Sequence, residues 1–460
     1  MIMRNMKKLA LASVIAATLT ACNSSDNDDM DMSQIRVFHA SPDAPKVDVW
    51  LDGEKALSGV DYQQTSGQIS VTSGTHTVQI EAILPNGETV TVLDETTLDL
   101  MSGTEYNVIA TGKAALLGED NAMAFGPLIV ARDDIAPSGA RVQAVHSAPD
   151  APTVDVFITA PGADLSDVTP FADDLAYKAS SDAVEVPAGD YQIRITSDTD
   201  SSVVYYDSGS INVPAGSDWV ALATNNTAGG DAPVSLVVDT GSDTVLVHDM
   251  DTGSDIRVAH TISDAPGVDV WVNSTAPAMD SPLYNLTYPN HTDYLTVPAG
   301  EYTFNVAVNG TSPAQVVDAL TLMPTLENAK IYTALAIGNL GDSIENDELF
   351  VVADDKRRVA TAAKLRAIHA STLAGNVDIY VSDDASPSED DTILKNVAYK
   401  GDSTILDVMP GEAYIMITPT GDANNIAVGP ALLPLKAGTL TTLVAVDTKA
   451  GGVDVISLDD

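Results

Sequence analysis

The stretch IRVFHASPDAPKVDVWLDG, residues 35–53, constrains this chain more than any other, because it returns three times. RVQAVHSAPDAPTVDVFI occupies 141–158, IRVAHTISDAPGVDVWV 256–272 and LRAIHASTLAGNVDIYV 365–381. Each copy places an aspartate nine positions after a histidine: His39 and Asp48, His146 and Asp155, His260 and Asp269, His369 and Asp378. An aromatic follows two residues later: Trp50, Phe157, Trp271 and Tyr380. The histidines recur roughly every 110 residues, which is the size of a whole domain and too long for a solenoid unit. The chain is therefore a tandem array of four similar domains.

Each domain reads as strands. In the first, alternating Val, Ile, Thr and Tyr fill 35–40, 47–51, 68–72, 76–84, 89–93, 106–111 and 125–131, bounded by Gly, Pro, Asp and Asn. Pro85-Asn86-Gly87 is a hairpin signal between two of these runs. Apolar stripes of helical period are missing, which argues against an α/β fold. The expectation is an all-β chain of four antiparallel β-sandwich domains of immunoglobulin-like size. The boundaries fall at 35–138, 139–254, 255–362 and 363–460. Two further marks recur at matching positions and read as scaffold. One is a glycine turn feeding a strand (SGTHTVQI, PAGDYQIRI, PAGEYTFNV, PGEAYIMI). The other is a late strand (GTEYNVIATG, GSDWVALATN, AKIYTALAIG, GTLTTLVAVD).

The segment HASPDAP-x-VDV-aromatic resembles the signature of a bacterial envelope family known only as domain of unknown function 4397. Copies one and two match it closely, and copy three has TISDAP in place of ASPDAP. Copy four loses the Pro-Asp-Ala-Pro core, with Leu373, Ala374 and Gly375 instead. The resemblance implies secreted or lipid-anchored β-rich modules. It implies no activity, so no catalytic residue carries over.

The first 22 residues read as a signal. Arg4, Lys7 and Lys8 give a positive start, residues 9–19 are apolar, and Leu19-Thr20-Ala21-Cys22 closes the segment. The apolar run is shorter than the ~20 residues needed to span a bilayer. The ending resembles a lipoprotein box in which Cys22, the only cysteine, is lipidated. Asn23 after it points to the outer membrane. Residues 23–34 form a flexible acidic tether. The expected place is the bacterial envelope, with the lipid as the membrane anchor. No disulfide is available, so the domains are expected to stand on their own cores.

The formal net charge of −43 at pH 7 makes nucleic acid an unfavourable partner. It suits solubility in a salty medium. Asp249, Asp251 and Asp255 around Gly253 have the flavour of a calcium loop, and calcium stiffening of the interdomain joints is one reading. Calcium is the one cofactor considered; solvated loops are the leading reading. The other joints are 133–139 and 354–363. Lys356, Arg357 and Arg358 in the last are expected to relieve repulsion between acidic domains, with docking on an acidic neighbour as the other reading.

The His–Asp pair is too small a ligand set for zinc, which takes three or four protein or water ligands. Its structural reading is an imidazole hydrogen-bonded to the Ser-Pro-Asp-Ala-Pro turn or a neighbouring carbonyl. Ile35, Val37 and His39 share one face of the first strand. On the next strand, Val47, Val49 and Leu51 share a face and Asp48, Trp50 and Asp52 take the other. The aromatics Trp50, Phe157, Trp271 and Tyr380 are either core residues or, if that second face is exposed, ligand contacts. Asp-Thr-Gly-Ser at 239–242 and 251–254 superficially resembles an aspartic-protease loop, but the copies are too close in sequence for a two-lobed dyad. No residue is assigned a catalytic role. The expected function is a non-enzymatic extracellular binding or adhesion module for a glycan or surface protein, working through avidity. A passive spacer rod is the alternative, and a secreted hydrolase stands third.

Overall fold

The computed structural model describes residues 8–9, 31–241, 243–312, 320–340, 347–389 and 391–459. The expected lipidation site at Cys22 and most of the expected acidic tether lie outside the described residues.

The first repeat shows the plan. Its strands are β1 (Met32–His39), β2 (Val47–Leu51), β3 (Glu54–Val60), β4 (Ile69–Thr72), β5 (Gly74–Ile83), β6 (Thr89–Leu100), β7 (Thr104–Thr111) and β8 (Gly126–Asp133). Two four-stranded sheets form, in the orders β4-β1-β7-β8 and β3-β2-β5-β6. Residues of alternating side-chain direction supply the core between them. Ile35, Val37, Val47, Val49, Val78, Ile80 and Val108 meet there, as strand alternation requires. The expected split of faces on β2 holds. Every sheet neighbour in this repeat is antiparallel except one: β1 runs parallel to β7, with Ile35 beside Tyr106 and His39 beside Ala110. The same parallel pair closes the other three repeats. The chain is thus all-β and sandwich-built, with one parallel contact in each repeat.

Two compact bodies result. One comprises residues 1–226 and 232–250, the other 227–231 and 251–460. Each holds two repeats, packed through the outward face of the sheet containing the parallel pair. In the first body Phe38, Ile109 and Val130 of repeat one meet Val145, Val220, Leu222 and Val237 of repeat two. In the second, Ala259, Leu335, Ile337 and Val352 meet Ile368, Val444, Val446 and Leu458. The repeats are therefore built in pairs that share an apolar layer, and single domains on free linkers do not describe them.

The expected joints are part of this packing. Asp239 ends a strand (Val234–Asp239) and is 1% exposed. The Asp354 carboxylate is buried and accepts from Arg257 and from the Tyr294 hydroxyl. Lys356 pairs with buried Asp255, so that lysine docks on an acidic neighbour as a structural counter-ion, beyond a general relief of charge.

Candidate functional site

The four signature histidines end their strands in one geometry. His39 Nε2 lies 2.9 Å from the Pro45 carbonyl, His146 Nε2 2.9 Å from that of Pro152, His260 Nε2 3.0 Å from that of Pro266, and His369 Nε2 3.0 Å from that of Gly375. In two repeats Nδ1 accepts a backbone N–H two residues on, from Ala148 and Ser371. One nitrogen donating and the other accepting describes a neutral imidazole. The ring is a brace across the turn. This is the structural role expected for it.

The fourth turn keeps that brace without the Pro-Asp-Ala-Pro core. In repeat one, Asp43 accepts the Ala114 and Ala115 N–H groups and Ser41 donates to the Gly112 carbonyl, docking the turn on the β7–β8 connection. In repeat four, Asp447 reaches the other way. It accepts from the Ser371 and Thr372 hydroxyls and from the Thr372 and Leu373 N–H groups. A carboxylate on the opposite element thus replaces the lost one.

The aspartates do a different job on the other sheet. Asp48 accepts the Gly59 N–H, Asp155 that of Asp174, Asp269 that of Asn285 and Asp378 that of Asn396. All four donors have left-handed backbones, with φ of 67°, 49°, 50° and 54°. Such a residue marks a bulge that re-aims a strand. The carboxylate holds that bulge. Burial pushes each of these carboxyls up. Hydrogen bonds outweigh it at Asp48 (from Lys55, Ser58 and Gly59), Asp269 and Asp378, which sit below the usual range. At Asp155 burial wins, helped by Asp173, Asp174 and Asp198, and its carboxyl is raised. Histidine and aspartate of one signature therefore serve separate sheets and do not converge.

Two partners of the signature escaped the sequence reading. A tyrosine meets each histidine ring edge-on: Tyr62, Tyr177, Tyr288 and Tyr399, with centroids 6.1, 6.1, 6.5 and 6.5 Å away. Two of them cross to the neighbouring repeat, where the Tyr62 hydroxyl donates to the Asn225 carbonyl and Tyr177 pairs with Thr111. The second missed group is arginine. Arg36, Arg141, Arg257 and Arg366 lie on the outward face of each first strand and are 0–3% exposed. In the first body Arg36, Arg132 and Arg141 interlock with Glu105, Asp218 and Asp239. In the second, Arg257 and Arg366 surround Asp354, and Arg366 also forks onto Asp402. The recurrence of arginine at the repeat period, in a chain with 22 basic and 65 acidic residues, was the available signal.

The aromatics divide by the connection that follows their strand. After β2, Asp52 and Gly53 form a tight turn with φ of 51° and 77°, and Trp50 stays half-buried. Asn273 and Ser274 do the same beyond half-buried Trp271. In repeat two the connection is long. Arg194, opposite Phe157 in register, straps it by donating to the Ala163 carbonyl at 2.6 Å. Phe157 is 2% exposed and Leu165 on that connection is buried. Tyr380 is 5% exposed and its register partner Met416 is wholly buried. Phe157 and Tyr380 are therefore covered residues and not ligand contacts.

The calcium reading loses its third ligand. Asp255 is fully buried, bonded to Lys356 and the Thr296 hydroxyl. Asp249 accepts the Asp207 N–H. Among the described residues no group of three His, Cys, Asp or Glu side chains is arranged to hold a metal. Asp239 of the Asp-Thr-Gly-Ser segment is tied to Arg36 at 3.0 Å and to Thr65 at 2.8 Å, so it is an interior ion-pair partner. Among the described residues no helix is long and apolar enough to cross a membrane.

These features define a class, tandem β-sandwich proteins whose repeated polar signature organises turns, bulges and inter-repeat contacts. The family model described as domain of unknown function DUF4397 matches residues 33–157 and 254–380, more than half of the chain, and the chain belongs to that family. Each match runs through one whole repeat into the first strands of its packed neighbour. No curated protein matches the chain. Among solved structures, a product complex of the multi-modular glycogen-degrading pneumococcal virulence factor SpuA aligns at 10% identity and a TM-score of 0.17. That alignment covers 86% of this chain and 37% of the other, so this chain spans well under half of that protein's length.

Burial holds His146 and His260 below the ordinary imidazole range. The unfolded chain therefore binds protons that the folded one refuses. The stability this carries is fully present above the unfolded pKa, near 6.5, and is lost as pH falls below it. Melting temperature should accordingly drop between pH 7.5 and 5.5. The drop should shrink in a His146→Gln/His260→Gln variant, and an equal drop in both proteins would assign it elsewhere.

Proposed function

We propose that this protein is an exported, lipid-anchored envelope module that binds glycans without catalysing a reaction, using the open sheet faces around Trp50 and Trp271. One observation carries the reading. The two faces whose tryptophans stay half-buried share a ladder of tryptophan, amide and threonine, with Lys55 Nζ 5.1 Å over the Trp50 ring, while Phe157 and Tyr380 on the other two are covered. Trp50 sits opposite Gln79, whose amide donates to Thr91 Oγ1 at 3.4 Å. Trp271 sits opposite Asn305, which donates to Thr321 Oγ1 at 2.9 Å. An aromatic face beside amide and hydroxyl groups suits a sugar ring, with its apolar faces and hydroxyl rim. Both indole Nε1 atoms are buried without an acceptor. An unsatisfied buried donor costs stability, which supports a role for the ring beyond packing.

The test is a glycan array probed with the chain from residue 23 to 460, beside a Trp50→Ala/Trp271→Ala variant of unchanged circular dichroism. The expected result is binding by the first and at least a tenfold loss in the second. Equal binding by both would remove the two faces from consideration, and silence from both would favour the spacer reading.

A further inference from the structure

The first body contains a cleft of about 750 Å³ that no part of the signature uses. It opens beside a strand, Thr244–Val247, that adds to the outside of the second repeat's sheet by pairing with Val234–Asp239. Val245 and Val247 face the cleft, together with Ile211, Trp219 and Val238. Leu246, between the two valines, points the other way into the inter-repeat layer. The cleft is thus the open mouth of a sandwich core, walled on one side by a sheet edge.

Three observations say what fits there. An edge strand offers a row of unpaired backbone donors and acceptors. Here that edge carries a short antiparallel addition: Lys8 and Leu9 pair with Val245 and Thr244. The polar groups of the cleft are also selective. Arg36 lines it and is 1% exposed, yet its Nε has no partner, while its other nitrogens hold Asp239 and Glu105. That leaves a buried donor for a carbonyl oxygen and no free positive charge for an anion. Asp134 stands exposed on the rim, in a protein of net charge −43, which favours a basic visitor.

We infer that Thr244–Val247 is a strand-addition site for an extended peptide of a partner protein, one that alternates apolar residues with at least one lysine or arginine. The backbone of such a segment completes the sheet, its apolar side chains enter the cleft against Val245, Val247 and Trp219, and its cation meets the acidic rim. This is the general logic of peptide recognition by strand addition, in which main-chain bonds supply affinity and alternate pockets supply selectivity. The inference rests on the reading of residues 1–22 as a cleaved signal, since their removal is what leaves the edge open.

The probe is a labelled synthetic peptide, acetyl-NMKKLALA-amide, corresponding to residues 5–12. It is titrated into the chain from residue 23 to 460 and followed by fluorescence anisotropy. Two backbone-methylated versions, blocked on alternate amides in the two possible registers, are titrated beside it. Saturable binding is expected. One register of methylation should weaken it by about tenfold or more, because every second N–H of an added strand faces the edge, and the other should be tolerated. Hydrogen exchange at 244–247 should slow on binding. The Trp50→Ala/Trp271→Ala protein should bind the peptide unchanged, which separates this site from the glycan faces. Absence of binding, or equal tolerance of both methylated peptides, would overturn the inference.

Discussion

Replacing Arg36 with methionine is expected to destabilise the first body by about 3–5 kcal/mol, the range for removing one partner of a buried ion pair. The reason lies in what is left behind. Asp239 would keep only its neutral donors, from Thr65 and from the Gly241 N–H. Glu105, which is fully buried, would lose one of its guanidinium neighbours. A carboxylate in that position has no water to turn to. The measurement is urea unfolding followed by the fluorescence of Trp219, after Trp50 and Trp271 have been changed to phenylalanine. Combining Arg36→Met with Asp239→Leu should recover most of the loss, since an apolar pair can replace a buried ionic one at little cost. A single variant within about 1 kcal/mol of the parent would mean that the charges are not what joins the repeats.

The second large effect concerns autonomy. A fragment of residues 31–138, the first repeat alone, should fail to give a cooperative thermal transition and should self-associate. Residues 31–250 should fold as one unit. Cutting between the repeats exposes Phe38, Ile109 and Val130 on one contiguous face and strips Arg36 of Asp239. Exposed apolar patches of that kind drive aggregation. Calorimetry with size-exclusion chromatography decides the matter. A sharp, reversible transition from monomeric 31–138 would show that the shared layer is dispensable.

This prediction departs from what the sequence suggests, and the reason is instructive. Strand positions, hairpins and the choice of inward face on β2 were legible, because alternation and turn chemistry are local. The pairing of repeats was not. The outward residues of β1 are Arg36 and Phe38, and an arginine on an alternating strand normally marks the wet side of a sheet. Only the partner repeat, bringing Asp239 from far along the chain, makes that position dry. The histidine brace was correctly read from the turn beside it. Its tyrosine was missed because it comes from a loop between strands, at a spacing that differs from repeat to repeat. The split among the aromatics was half visible: Asp52-Gly53 is a two-residue hairpin signal, whereas the longer insertion after Phe157 could have been recognised as a cover. Nothing local announced that Asp255 would be captured by Lys356.

The parallel contact that closes each repeat also bears on how the chain reaches its folded form. Strand β1 cannot find its long-term neighbour until β7 exists, since Ile35 aligns with Tyr106. The intervening loop must close before that contact returns any energy, and chains dominated by such distant pairings fold slowly. A repeat emerging N-terminus first therefore cannot complete this sheet early. Its opening strand can pair early with β4, but its other edge stays open until the sixth strand after it is delivered, and the Arg36–Asp239 ion pair waits longer still, for the next repeat. The interval of greatest exposure is set by synthesis and does not depend on the finished protein's stability. For a chain that carries no disulfide to trap partial order, keeping that interval safe falls to its acidic charge, which holds unfinished copies apart before any of them has a core.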